Sequence, residues 1–164
     1  MTDKTFIISR TFNAPRELVF ACFTDANHLK HWSGPAGSSV VKSETDLRPG
    51  GTNHYGLQTP DGSIMWGIQT YREISPPEKL IYVQSFSDEN RGITRHPMAP
   101  TWPLEMLTTI VFEDADGQTK MTLTWETLPN ANDDERGTFA AAHDGMTMGW
   151  GGSLDKLETY LKTV

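Results

Sequence analysis

The chain has 164 residues, with 14 basic and 21 acidic side chains and a formal net charge of −7 at neutral pH. An acidic chain without a cluster of Lys and Arg is a poor match for nucleic acid or an anionic membrane, because both attract basic patches. Its one cysteine, Cys22, cannot form an internal disulfide. We see neither a secretory signal nor an apolar run long enough to span a bilayer. We therefore expect one cytoplasmic domain over residues 1–164, with no nucleic-acid partner and no membrane insertion.

The N-terminal part predicts a strand followed by two short helices. Apolar and polar residues alternate from residue 4 to residue 12, which indicates a strand. Pro15 then begins a helix, since a proline in the first turn loses no hydrogen bond. Asp25 can cap a second short helix that carries Leu29 and Trp32.

The middle of the chain has mostly strand periodicity. Six strands are predicted at about residues 39–46, 52–59, 64–74, 79–87, 104–112 and 120–127. The turn sequences PGG, PDG, SPP and DADG separate several of them, and short strands joined in this way indicate an antiparallel meander. Residues 87–103 have no period and are long for a connection. We interpret them as an ordered flap because they contain prolines, Met98 and Trp102.

The C-terminal part predicts one long helix over residues 132–161. Asn132 and Glu135 have the spacing of a capping box. Apolar side chains and one histidine recur every three or four residues and share a face: Phe139, His143, Met146, Trp150, Leu154, Leu157 and Leu161. Glycines at 149, 151 and 152 interrupt this helix. They permit close packing on a neighbour or serve as a hinge, and the two interpretations are compatible.

Short motifs along the chain resemble those of a known family. They are FNAP at 12–15, LKHWSGP at 29–35, PGG at 49–51, PDG at 60–62, YREI at 71–74, PPEKL at 76–80 and GW at 149–150. In this order the chain resembles the family named after the activator of the 90-kDa heat-shock protein ATPase, within the START-like or helix-grip superfamily. The resemblance implies an α+β helix-grip fold, with a curved antiparallel sheet of about seven strands around a long C-terminal helix.

The same resemblance implies a function. Superfamily members bind lipids, hormones, polyketides and other apolar molecules in a cavity between sheet and helix, and some are cyclases. We therefore expect an apolar or amphipathic small molecule as the ligand. The chaperone activator proper carries a further N-terminal domain, for which we expect no room here, so a chaperone-interacting module is only an alternative.

Strand and helix periodicity predicts which residues face such a cavity. The candidate ligand contacts are Trp32, Asn53, Tyr55, Trp66, Tyr82, Gln84, Phe86, Trp102, Met106, Trp125, Phe139, His143, Met146 and Trp150. Aromatic and Met side chains mixed with a few polar groups are typical of small-molecule sites, although each residue alone could simply be core. Around Trp66 the sequence does not decide whether this residue or its immediate neighbours in the strand face the cavity. His54 is out of phase with Asn53 and Tyr55, so we expect it to point to solvent.

Catalysis and metal binding have fewer candidates. His143, paired with Tyr82 or with a carboxylate such as Glu105 or Asp144, would be the acid–base residue of a polyketide-cyclase-like enzyme, the first alternative function. His28 and His31 have a helical metal-ligand spacing but no evident third ligand, so we expect no metal and no cofactor.

Two further points stay open at this stage. Arg91 and Arg95 either lie on a solvated loop or bind an anionic head group. The oligomeric state is open between a monomer and a homodimer.

Overall fold

The computed structural model describes residues 5–34 and 36–164 and has an α+β fold. The elements run in the order β1 (Phe6–Phe12), α1 (Arg16–Thr24), α2 (Ala26–Leu29), β2 (Ser39–Thr45), β3 (Thr52–Gln58), β4 (Ile64–Ser75), β5 (Lys79–Ser87), β6 (Ile93–Thr94), β7 (Met106–Ala115), β8 (Gln118–Thr127), α3 (Asp133–Ala141) and α4 (His143–Leu161). The predicted fold class is confirmed.

One curved antiparallel sheet carries the fold. The strand order is β1-β8-β7-β5-β4-β3-β2, and the short strand β6 pairs with β5 beside this path. Every strand pairing described is antiparallel, as expected for strands joined by short turns. The concave face of the sheet packs against α1 and α4.

The core lies between the sheet and these helices. Fully buried side chains come from the strands and from the helices, for example Phe112 and Leu123 on strands and Leu154 and Leu157 on α4. Cys22 on α1 is completely buried. Burial, with a smaller contribution from Asp25, raises the pKa of the Cys22 thiol to about 11. Cys22 is therefore a protonated, packed side chain at neutral pH.

The prediction of one long C-terminal helix is wrong in one respect, because the structure has two helices, α3 and α4, in this part of the chain. Asn132 and Glu135 do form a reciprocal capping box at the start of α3. The helix then breaks at Ala142, whose φ and ψ of −97° and 5° are not helical. Ala is the best helix former, so local propensity does not explain the break. It falls where the chain stops packing on the flap and begins to line the cavity described below.

Residues 87–103, the flap, are held to α3. Within the flap, β6 pairs with the end of β5. Arg95 forms an ion pair with Glu135 and donates a hydrogen bond to the carbonyl of Trp102. The Trp102 ring lies 6.2 Å from the ring of Phe139, centroid to centroid. Met98, in contrast, is 88% exposed and does not help to fasten the flap.

His54 does not point to solvent as predicted; it is fully buried on the convex face of the sheet. Its ring stacks on Trp66 with centroids 5.2 Å apart, and its Nε2 lies 2.8 Å from the carbonyl oxygen of Asp88. The turn that begins at Asp88 folds back over β3, where Arg91 donates hydrogen bonds to Thr52 and Glu44. This turn supplies the cover that strand periodicity alone does not predict.

Across residues 5–34 and 36–164, no helix combines the length and the apolar character needed to cross a membrane.

Candidate functional site

A cavity of about 430 Å³ lies between the concave face of the sheet and α4. Ligand pockets commonly have volumes of about 300–1,000 Å³. On the helix side, residues spaced by three or four border the cavity: Ala142, Gly145, Met146, Gly149, Trp150 and Ser153. A Cβ atom added to Gly149 would meet no atom within 4 Å, so this glycine leaves space beside Met146.

Most of the predicted ligand contacts lie together around this cavity. Lining residues from that set are Trp32, Asn53, Tyr55, Trp66, Tyr82, Gln84, Phe86, Trp102, Met106, Trp125, Met146 and Trp150. Three indole rings form one wall, because Trp125 lies 6.4 Å from Trp102 and 5.8 Å from Trp150, centroid to centroid. The wall is therefore apolar and built from large side chains.

A line of uncharged polar side chains crosses the concave face. Asn53, Gln69 and Gln84 are cross-strand partners on β3, β4 and β5. Asn53 Nδ2 donates to Gln69 Oε1 over 3.2 Å, and Gln69 Nε2 donates to Gln84 Oε1 over 3.2 Å. Thr45 Oγ1 donates to Asn53 Oδ1 at one end, and Gln84 Nε2 donates to Tyr55 Oη over 2.6 Å at the other. We call Thr45, Asn53, Gln69, Gln84 and Tyr55 the amide ladder.

Gly67 allows the last step of the amide ladder. A Cβ atom added to Gly67 would lie 2.3 Å from both Cζ and Oη of Tyr55, so the tyrosine ring lies across the glycine. This path over β4 brings the hydroxyl from β3 to Gln84 on β5. Burial raises the pKa of Tyr55 to about 12, although the hydrogen bond from Gln84 acts in the opposite direction. The phenol therefore keeps its proton at neutral pH.

A second polar line crosses the neighbouring strands. Tyr82, Thr108 and Trp125 are cross-strand partners on β5, β7 and β8. Trp125 Nε1 donates to Thr108 Oγ1 over 2.7 Å, and Tyr82 is the cross-strand neighbour of Thr108. Burial is the main cause that raises the pKa of Tyr82. Thr108 thus fixes the Trp125 ring in the cavity wall.

The histidine at the cavity is His96, not His143. His96 belongs to the flap, lines the cavity and packs on Phe86 with ring centroids 4.6 Å apart. Its Nδ1 accepts a hydrogen bond from the backbone N–H of Met98 over 3.0 Å. Burial lowers the pKa of His96, which favours the neutral ring. In that ring the proton is on Nε2, because Nδ1 accepts.

Two of the predicted contacts lie elsewhere, and a third borders the cavity from the other face of the sheet. His143 packs edge-on against the rings of Phe6 and Phe139, with centroids 5.7 Å and 5.2 Å away, and neither His143 nor Phe139 is a lining residue. The break at Ala142 changes the helical phase, so residues before and after it do not share the predicted face. Trp66 pairs with Gly56 on the convex face, and its ring stacks on His54 although the residue borders the cavity.

The other histidines and arginines considered from sequence have structural partners. His28 Nδ1 lies 2.6 Å from Tyr160 Oη, and the ring of His31 stacks on the same tyrosine. Arg91 and Arg95 bind Glu44 and Glu135, respectively. Within the described part of the chain, no group of three or more His, Cys, Asp or Glu side chains could hold a metal ion.

Several residues of the cavity were not among the predicted contacts, and three of them matter most for its chemistry and space. Gln69 could have been assigned only if the phase of β4 had been known. His96 lies in a segment without periodicity, so no pattern places its ring. Gly149 was considered as a packing or hinge residue, whereas the structure places it at the cavity.

Comparison with known proteins agrees with this architecture. The model of the family "Activator of Hsp90 ATPase homolog 1-like protein" matches residues 13–162. No curated protein sequence matches the chain significantly.

Solved structures share the fold. A protein of Nitrosomonas europaea has a TM-score of 0.75 and 24% identity, over 97% of this chain and 94% of its own. A protein of Staphylococcus epidermidis has a TM-score of 0.71 and 26% identity, over 99% of this chain and 94% of its own. An AHSA1 protein of Silicibacter pomeroyi has a TM-score of 0.71 and 20% identity, over 98% of this chain and 99% of its own.

Proposed function

The chain belongs to the family of activator of Hsp90 ATPase homolog 1-like proteins, and we propose that it binds an apolar or amphipathic small molecule in the cavity between the sheet and α4. The family and fold are consistent with a ligand-binding module. The observation that carries the proposal is the composition of the cavity: an apolar wall of aromatic and Met side chains with one converging line of uncharged polar groups. This combination gives a ligand affinity through burial and orientation through hydrogen bonds.

The size of the cavity supports the same proposal. Protein interiors are normally close-packed and have few voids larger than a water molecule. A space of about 430 Å³ beside the core is far larger than such a void. A fold that only needed a core would fill this space with side chains, so we infer that the space serves a ligand.

The test fills the cavity from the helix. In Gly149→Leu the new side chain would enter the space beside Met146, and replacing a helix glycine favours the helix by up to about 1 kcal/mol. The matched control is Gly151→Leu in the same helix, because a Cβ atom at Gly151 also meets nothing within 4 Å and the residue does not line the cavity. The measurement is binding of the neutral apolar probe N-phenyl-1-naphthylamine, followed by its fluorescence.

We expect Gly149→Leu to weaken probe binding at least tenfold while the thermal midpoint stays at or above that of the parent. Gly151→Leu should bind the probe like the parent. Equal binding by both variants and the parent, or no binding by the parent, would contradict the proposed function.

The two alternatives have less support. The cyclase alternative depended on His143, and that side chain packs on Phe6 and Phe139 away from the cavity. The chaperone alternative rests on the family's name. A pull-down that recovers a 90-kDa heat-shock chaperone with the parent and with Gly149→Leu alike would support it.

A further inference from the structure

The lining of the cavity carries no formal charge. None of the described residues that line it is Asp, Glu, Lys or Arg. Two nearby cations have other partners, because Arg95 forms an ion pair with Glu135 and Lys156 donates to the carbonyl oxygens of Ser33 and Gly34. An ionised head group entering this space would lose its hydration without meeting an opposite charge, which is strongly unfavourable. The lining therefore selects against carboxylates, phosphates and ammonium groups.

The amide ladder has a direction. From Thr45 to Tyr55, each side chain donates to the next one, and the last hydrogen bond is accepted by the Tyr55 oxygen. The proton of the Tyr55 hydroxyl is therefore not used by the ladder. Hydrogen bonds that point the same way polarise one another, so the terminal O–H is a better donor than an isolated phenol.

The flap supplies a second donor. The backbone N–H of Met98 binds Nδ1 of His96, which leaves the proton of the neutral ring on Nε2. His96 lies over Phe86, and Phe86 is the next inward residue after Gln84 on β5. Tyr55 and His96 thus border one end of the cavity from the sheet and from the flap.

We propose that the cavity selects an uncharged ligand with an apolar body and a carbonyl or comparable neutral oxygen, which accepts hydrogen bonds from Tyr55 Oη and His96 Nε2. This inference rests on the proposed function, because it names the class of ligand for the same cavity. It goes beyond that function by excluding fatty-acid and amine ligands of equal size. An acceptor oxygen would satisfy two donors for which the described residues show no acceptor.

The experiment compares ligands of equal chain length. 2-Decanone, decanoate and decylammonium are titrated at pH 7.5 against the parent carrying N-phenyl-1-naphthylamine, and displacement of the probe gives their affinities. We expect the ketone to bind at least tenfold more tightly than either ion. Tyr55→Phe should weaken 2-decanone about tenfold, the effect of one lost hydrogen bond.

The matched control for Tyr55→Phe is Tyr71→Phe. Tyr71 is a buried tyrosine on the same sheet, but it does not line the cavity and its hydroxyl has no hydrogen-bond partner among the described residues. Tyr71→Phe should leave the affinity for 2-decanone unchanged. His96→Phe, which keeps an aromatic ring, should weaken the ketone as Tyr55→Phe does.

The outcomes separate this inference from the proposed function. If the probe binds the parent but decanoate displaces it as well as 2-decanone, the inference is wrong and the proposed function stands. The same holds if Tyr55→Phe and Tyr71→Phe bind the ketone equally. If the probe does not bind the parent at all, both are overturned.

Discussion

Replacing Gly67 with alanine should destabilise the protein only when Tyr55 is present. The added Cβ atom would lie 2.3 Å from Cζ and Oη of Tyr55, and its three nearest atoms all belong to that ring. Carbon atoms in contact prefer a separation of about 3.5–4.0 Å, so the ring must move by more than an ångström. Overpacking of this kind costs roughly 1–3 kcal/mol, and loss of the hydrogen bond between Gln84 and Tyr55 adds about 1 kcal/mol. We expect Gly67→Ala to lower the free energy of unfolding by about 2–4 kcal/mol.

A double-mutant cycle with Tyr55→Ala isolates this clash. Once the ring is absent, the three nearest atoms are removed, and Gly67→Ala should stabilise the strand by roughly 0.5 kcal/mol, because glycine is the less favourable residue in a strand interior. The two substitutions should therefore be coupled by about 2.5–4.5 kcal/mol. Urea denaturation of the four proteins, fitted with a common slope, measures the coupling. Equal effects of Gly67→Ala in both backgrounds would refute the conclusion that Tyr55 reaches Gln84 across this glycine.

Two more predictions concern the core and the flap. Glu135→Gln should lower the free energy of unfolding by about 1–2 kcal/mol, because it removes the ion pair with half-exposed Arg95 but leaves a residue able to complete the capping box. Burial alone would raise the pKa of Glu135, yet the hydrogen bonds from Arg95 and the backbone of Asn132 lower it below 4.5. The extra stability of the parent over Glu135→Gln should thus be complete above pH 4.5 and fall as the pH drops through the folded-state pKa. Denaturation of both proteins at several pH values measures this difference in the free energy of unfolding. A difference that does not change with pH would count against the ion pair. Cys22, buried and with its pKa raised to about 11, should react with a disulfide reagent at pH 8 only on unfolding, and rapid reaction of the native protein would contradict its burial.

The sequence predicted the elements of the fold better than the faces they present. Local signals such as the capping box of Asn132 and Glu135 depend on residues close together in the chain, and the structure confirms them. The amide ladder depends on strand register, which a one-residue slip would reverse, so Gln69 could not be assigned to the concave face from periodicity alone. The burial of His54 depends on the turn at Asp88, which is 34 residues away.

The break between α3 and α4 also depends on contacts between residues that are distant in the sequence. Ala140, Ala141 and Ala142 favour a continuous helix, and tertiary contacts on either side decide otherwise. His143 was therefore assigned to the cavity on a helical phase that does not persist through Ala142. A histidine in a segment without periodicity, His96, takes that place instead.

The three indoles of the cavity wall also make the intrinsic fluorescence of the protein sensitive to the state of the cavity. Trp125 on β8 lies between Trp102 on the flap and Trp150 on α4, at 6.4 Å and 5.8 Å. At these separations excitation passes between neighbouring indoles, so a change around one of them alters the fluorescence of all three. The flap, the sheet and the helix each hold one member. Any molecule that enters between them, or any movement of the flap away from α4, alters a signal that the protein generates by itself.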